Sequence, residues 1–248
     1  MSETGIESHE LPNLITLAAS SLKDVHISES LIKWEAPIFS LIIIFIISFV
    51  ASRASKRKAL VPGRLQNFFE LYTSAVDDFV TGIIGHAGRK YTPFIGTLFI
   101  YILAMNLFGL IPFMKSPTTS WSTTLALALC VFVYVQYTAF KELGFFGYVD
   151  HMMGRPRGML ALSVVIPLIM FFLHIVAELV RPVSLSLRLR SNIWGDDTLL
   201  AVLAGFGMQG VPLLFFNTLL VIITSVVQAV VFCLLTTIYF ALVLVHEE

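Results

Sequence analysis

Charge is what this sequence has least of. Asp, Glu, Lys and Arg make up 13% of its 248 residues, about half the roughly 25% of a soluble domain. So little charge excludes a soluble globular fold, a coiled coil and a disordered chain. The formal net charge is zero, so nothing draws a polyanion and no nucleic-acid partner is expected. Cysteine is almost absent. Cys130 and Cys233 sit in apolar runs without metal-ligand spacing and read as packing residues, with no metal site. No nucleotide-binding motif, no H-E-x-x-H and no G-x-S-x-G occurs. No cofactor is implied.

Apolar residues fill the space that charge leaves. They are 57% of the chain, and the 15 glycines raise that to about 63%, against roughly 45–50% in soluble domains. Mean hydropathy is +0.86. This composition predicts an all-α integral membrane protein. Residues 1–35 are polar, lack the basic start of a cleavable signal peptide, and are expected to form an external segment, with a short amphipathic helix or a loose tail over "ELPNLITLAASSL". Residues 36–248 are the membrane domain. Its spans are expected at about 36–52, 91–113, 121–140, 158–204 and 211–245. An amphipathic helix is expected at about 64–88, where Phe68, Leu71, Tyr72, Ala75, Phe79 and Ile83 recur at helical spacing. It either lies on the membrane surface or packs against the spans. Residues 143–157 read as a loop.

The last two spans are too long for upright crossings. Some 47 and 34 residues of helix would extend roughly 70 Å and 50 Å, through a hydrocarbon core about 30 Å thick. No polar loop divides either one. A strongly tilted helical hairpin is therefore expected, inclined by more than about 45°, beyond the common 0–40°.

Lys and Arg set the orientation. The loops 51–90 and 141–157 hold ten of them, whereas Lys23, Lys33 and Lys115 are the three on the other side. That places the N-terminus outside and the C-terminus inside. The remaining three, Arg181, Arg188 and Arg190, fall within the fourth span, with Glu178, Asp196 and Asp197. Each charge at the bilayer centre costs about 2.5–3.5 kcal/mol on insertion scales. Spacing allows Glu178 to pair with Arg181 and Arg190 with Asp197. Arg188 has no acid at i±3 or i±4. It shares a polar stripe with Arg181, Ser184, Asn192 and Gly195. A guanidinium stays protonated at physiological pH, so Arg188 is a fixed cation whose counter-charge must come from another helix or another chain. Carboxylates at several depths, with His174 one turn beyond Glu178, suit a proton path. Gln228 is the clearest polar residue at depth on the last span, preceded by Asn217, Thr224 and Ser225.

These residues resemble a known family. "RPVSLSLRLRSN" at 181–192 is similar to the signature of subunit a of the bacterial-type rotary F-type ATP synthase, R/K-P-V/L-S-L-G/S-L-R-L-F-G-N. "MNLFGLIP" at 105–112 resembles its N-L-x-G-L-I-P, and "VVQAVVFCLLTTIYFALVL" at 226–244 resembles its last helix. The resemblance implies the static proton-channel subunit of a membrane motor, which offers two offset half-channels to the carboxylates of a rotating c-subunit ring. It implies a hetero-oligomeric complex with the c ring, the b subunits of the peripheral stalk and the F1 sector, in lipid, in a bacterial inner membrane. It also implies that the chain is not catalytic alone. By position, Arg188 matches the essential arginine, Ser184, Asn192 and Gln228 match other polar positions of the path, and Asp197 matches the acid of the outer half-channel.

Two departures stand out. The pattern's F-G is Arg190-Ser191 here. Arg190 turns about 200° away from Arg188, and is expected to pair with Asp197 or to bind a lipid headgroup or a neighbouring subunit. The His or Glu that many members carry seven residues before the glutamine is Val221 here, and Asp196 is expected to stand in for it across the helix interface. A secondary ion transporter, or another polytopic protein with a buried charge network, is the competing reading. It would normally show internal repeats, and the charged stripe occurs once.

Overall fold

The computed structural model describes residues 34–55, 63–111, 114, 116–152 and 162–244. The expectations for residues 1–33, for Lys56, Arg57 and Lys58, and for Lys115, Arg155 and Arg157 lie outside these. The described residues are helical, with no strand among them, and form six α-helices. These are α1 (Glu35–Ser55), α2 (Arg64–Ile84), α3 (Thr92–Phe108), α4 (Trp121–Met152), α5 (Leu162–Ala204) and α6 (Val211–Leu244). All but α2 contain stretches long and apolar enough to cross a membrane. In lipid every backbone polar group must be satisfied within the segment, which is why such runs adopt helix.

Helix α3 is apolar on every side and lies at the centre. Ile95, Leu98, Ile102 and Met105 are buried against its neighbours. Rings tie α3, α4 and α6 together: Tyr91 stacks on Phe240 at 4.5 Å, and Tyr134 lies 4.5 Å from Phe94 and 5.5 Å from Phe240. Helix α1 touches this core through Phe39, 5.6 Å from Phe108, and exposes most of its remaining surface. Helix α2 packs against the spans along one edge. Val80 and Ile84 are buried, Tyr72 donates to the Gly96 carbonyl at 2.7 Å, and Thr92 donates to Asp77 at 2.8 Å. Its Phe68 and Leu71 stay exposed. Of the two alternatives read from its pattern, packing against the spans is the one these contacts bear out. Cys233 is buried in the core and Cys130 is exposed.

The segment 143–157, expected as a loop, is helical as far as Met152. Gly144, at φ 67° and ψ 171°, breaks α4, in a backbone region open essentially to glycine alone. The chain folds back there. The Tyr148 hydroxyl donates to the Gln136 carbonyl oxygen at 2.8 Å, although twelve residues of straight helix would separate the two by about 18 Å.

Helix α5 runs unbroken for 43 residues and α6 for 34, or about 65 Å and 50 Å. Of the five apolar helices α5 is the least enclosed by the rest of the chain. A short turn joins the two. At Gly210 a Cβ would lie 2.5 Å from the Leu203 carbonyl oxygen, so the turn closes only on glycine. Three contacts across the hairpin fix its register. Asp196 meets Thr224, Asn192 meets Gln228, and Arg181 meets Tyr239. All three pairs are centred on position 210, as antiparallel helices folded at that glycine require.

Candidate functional site

One turn of α5 advances about 5.4 Å and each residue rotates by 100°. Pro182, Leu185, Ser186, Leu189 and Ile193 are buried and share one stripe, the face pressed into the subunit. The functional candidates line both margins of that stripe.

The first margin carries Arg188. Its side chain is exposed, as is Asn192 one turn on, and Ser184 one turn back is half-buried. Among the described residues no carboxylate forms an ion pair with Arg188. Asn192 donates to the Gln228 carbonyl oxygen at 2.5 Å, and Thr224 donates to Asp196 at 3.2 Å. Gln228 is buried on α6, while the Asp196 residue is half-buried. Thr224 also donates to the Val221 carbonyl at 3.1 Å, so Asp196 reaches α6 one turn from Val221. Further along α6, Asn217 and Ser225 are buried beside these groups. The side-chain atoms of Asn217, the Ser225 hydroxyl and the Gln228 amide nitrogen have no hydrogen-bond partner among the described residues. Buried polar groups left this way are the ones ordered water satisfies.

The part of α5 nearer its N-terminus holds a second cluster. Arg181 and Glu178 form an ion pair at 2.7 Å, the pairing that their spacing allowed, and both are partly buried. Gln136 of α4 donates to the other Glu178 oxygen, and Tyr148 donates to Gln136. The Arg181 guanidinium lies 5.0 Å from the centre of the Tyr239 ring, a cation–π contact. Burial, and then the nearby Glu178 charge, push the Tyr148 phenol above its ordinary value. A crevice between α4, α5 and α6 runs past Val131, Val135, Glu178, Arg181 and Tyr239. His174 is half-buried, one turn from Glu178, with its Nδ1 3.1 Å from the Met170 carbonyl.

The opposite margin carries Arg190 and Asp197. Arg190 donates from Nε to the Thr119 carbonyl at 3.2 Å and lies 4.8 Å over the Trp121 ring. Thr119 donates its hydroxyl to Asp197 at 3.1 Å. Asp197 therefore lies about 180° around the helix from Arg188, against the loop before α4, while Asp196 faces α6. Sequence reasoning missed Gln136, Tyr148, Tyr239 and Thr119. Gln136 carried a usable signal, an amide in the middle of an apolar span. Thr119 and Tyr148 carried none, because only the folded chain brings them to the acids.

The chain is similar to known proteins over most of its length. The family described as "ATP synthase A chain" matches residues 37–241. The "ATP synthase subunit a" of Protochlamydia amoebophila is 38% identical over 96% of this chain and 90% of its own. The "ATP synthase subunit a 3" of Pelobacter propionicus is 38% identical over 79% of this chain and 80% of its own. The Helicobacter pylori "ATP synthase subunit a" is 37% identical over 81% and 85%. A multi-pass helical membrane chain with this arginine-bearing hairpin belongs to the ATP synthase A chain family.

Proposed function

We propose that this chain is the static proton-channel subunit of the membrane motor of an ATP synthase. One observation carries the reading: Arg188 is exposed at mid-helix and meets no carboxylate among the described residues. A permanent cation in that setting needs a partner from outside the chain. A ring of c subunits supplies one, a buried carboxylate on each. Arg188 favours the deprotonated form of the carboxylate opposite it and blocks a direct proton connection between the two sides.

Two half-channels then end at the ring on either side of Arg188. The outer one enters beside Asp197, at the loop before α4, and runs along the α5/α6 interface, past Asn217, Ser225, Asp196 with Thr224, and Asn192 with Gln228. The inner one runs by Tyr148, Gln136, Glu178 and His174. The orientation follows from the basic residues, with the N-terminus outside and the C-terminus in the cytoplasm of a bacterial cell. The exposed flank of α5 faces the ring, and the hairpin lies strongly inclined across it. The b subunits and the F1 sector complete the complex, ATP chemistry lies on those partners, and this chain is not an enzyme by itself.

Arg188→Ala in the assembled complex tests this. It is expected to abolish ATP-driven proton pumping and ATP synthesis while leaving the complex intact. Arg188→Lys restores these only in part, because an ammonium lacks the planar fork and deprotonates when buried. Robust synthesis by Arg188→Ala membranes would refute the proposal.

A further inference from the structure

The loop before α4 is held from behind. Thr118 is fully buried and donates to the Asn106 side-chain oxygen at 3.1 Å. Ser116 donates to the Met105 carbonyl at 2.8 Å. Both anchors belong to or adjoin α3, at the centre of the core. Thr119, the next residue, projects to α5 and touches it twice. Its carbonyl accepts from Arg190 at 3.2 Å and its hydroxyl donates to Asp197 at 3.1 Å. Arg190 and Asp197 are seven residues apart, two turns on one face, about 10 Å along the axis. Trp121 closes the cluster under the Arg190 guanidinium at 4.8 Å.

An arginine at membrane depth is expensive. Here its charge rests on a backbone carbonyl and an aromatic face. Those are the contacts of a group that holds a peptide in place. Arg190 also stands where the family pattern has phenylalanine. We infer that Arg190 and Thr119 are positioning residues for Asp197, locking the loop 116–121 onto α5 as one wall of the outer proton inlet. The Thr119 hydroxyl fixes one oxygen of the Asp197 carboxylate. Arg190 fixes Thr119 and supplies the nearby positive charge. The inference rests on the proton-channel reading above. It adds the loop and two residues to it.

The test uses the complete complex in inverted membrane vesicles, with ATP-driven pumping and passive proton flux as readouts and complex content as the control. Thr119→Ala and Thr119→Val are each expected to lower flux about tenfold, the loss of one hydrogen bond to a charged group. Thr119→Ser restores it to within about twofold, which a loop that needed only its shape would not distinguish from alanine. Arg190→Phe lowers flux similarly. The Thr119→Ala/Arg190→Phe double variant falls no further than either single one, since coupled residues do not add. Wild-type flux in Thr119→Ala, a Thr119→Ser variant as poor as alanine, or additive losses would each overturn the inference. Arg188→Ala, measured alongside, separates the two levels. ATP-driven pumping retained there sinks the channel reading and this inference with it. Pumping lost there but kept in Thr119→Ala sinks the inference alone.

Discussion

Asp196 offers the sharpest quantitative test of the proposed outer path. It is half-buried at the α5/α6 interface and accepts from Thr224 at 3.2 Å. A hydrogen bond to an ionised group contributes about 1.5–3 kcal/mol, so its loss corresponds to a factor between about ten and a hundred and fifty. No neighbour replaces it. Asp197 points about 100° away around the helix, to Thr119. The next acid of α5 towards the inner side is Glu178, eighteen residues or about 27 Å distant. Thr224, Asn192 and Gln228 orient and donate, but none of them ionises near neutral pH.

Asp196→Gly and Asp196→Asn are therefore expected to reduce ATP-driven pumping at least tenfold, measured by fluorescence quenching in inverted vesicles at matched complex content. The asparagine variant keeps the shape and removes the titrating group, so it excludes a purely helical effect of glycine. Geometry also predicts a rescue. Val221 is buried on α6, and its carbonyl accepts from the same Thr224 hydroxyl at 3.1 Å. A carboxylate introduced there arrives within one helical turn of the lost one. Asp196→Gly with Val221→Glu is expected to regain part of the flux. Normal pumping by Asp196→Asn would show that Asp197 acts alone, and a dead double variant would show that position 221 does not reach the path.

Two further outcomes follow from the inner cluster. Gly144→Ala forces a side chain into a backbone region that costs about 1–3 kcal/mol. It should detach Tyr148 from Gln136, slow pumping and lower the melting temperature of the solubilised complex, whereas wild-type values would show that the fold-back is dispensable. Glu178→Leu removes the acceptor of both Arg181 and Gln136 and leaves a partly buried cation unpaired, a loss of about 3–5 kcal/mol in a fully buried setting and less here. Complex yield is expected to fall steeply in Glu178→Leu and mildly in Glu178→Gln, and equal yields would contradict the pairing.

The helical membrane fold was legible because lipid leaves the backbone so few choices. Long apolar runs could only be helices, and the amphipathic pattern of 64–84 marked the one helix outside that rule. Arg188 was legible for a related reason: a charge with no partner in its own helix stands out in a solvent that penalises it. The break at Gly144 was not legible. A mixed stretch carrying Asp150, Arg155 and Arg157 reads as a loop, and only the observed φ at Gly144 shows a turn that continues into helix. The separation of Asp196 from Asp197 was computable from the helical angle, and Asp196 was expected to cross the helix interface, but its partner there, Thr224, depended on the register. That register is set by the turn at Gly210, where Leu203 and Phe206 crowd the missing side chain. Thr119 lies beyond any pattern in the chain, because its two contacts come from residues 71 and 78 positions away.

The length of α5 and the rotation of its side chains bear on one another. A straight helix of about 65 Å fits a core of about 30 Å only when inclined by roughly 60°. Asp196 and Glu178, some 27 Å apart along the axis, are then displaced sideways by about 23 Å. That is about two helix diameters of about 10–12 Å each, so on the proposed reading an outer path ending near Asp196 and an inner path starting near Glu178 open onto different helices of a ring beside them. Arg188 lies between the two along the axis. Its exposed guanidinium points away from the stripe of Leu185, Leu189 and Ile193 that seals α5 to its own subunit. An upright α5 would stack the acids over a single ring position, where a proton could pass from one to the other without moving the ring. On the proposed reading, inclination turns a difference in depth into a difference in place, and a proton that enters on one side of Arg188 can leave on the other only if the ring carries it there.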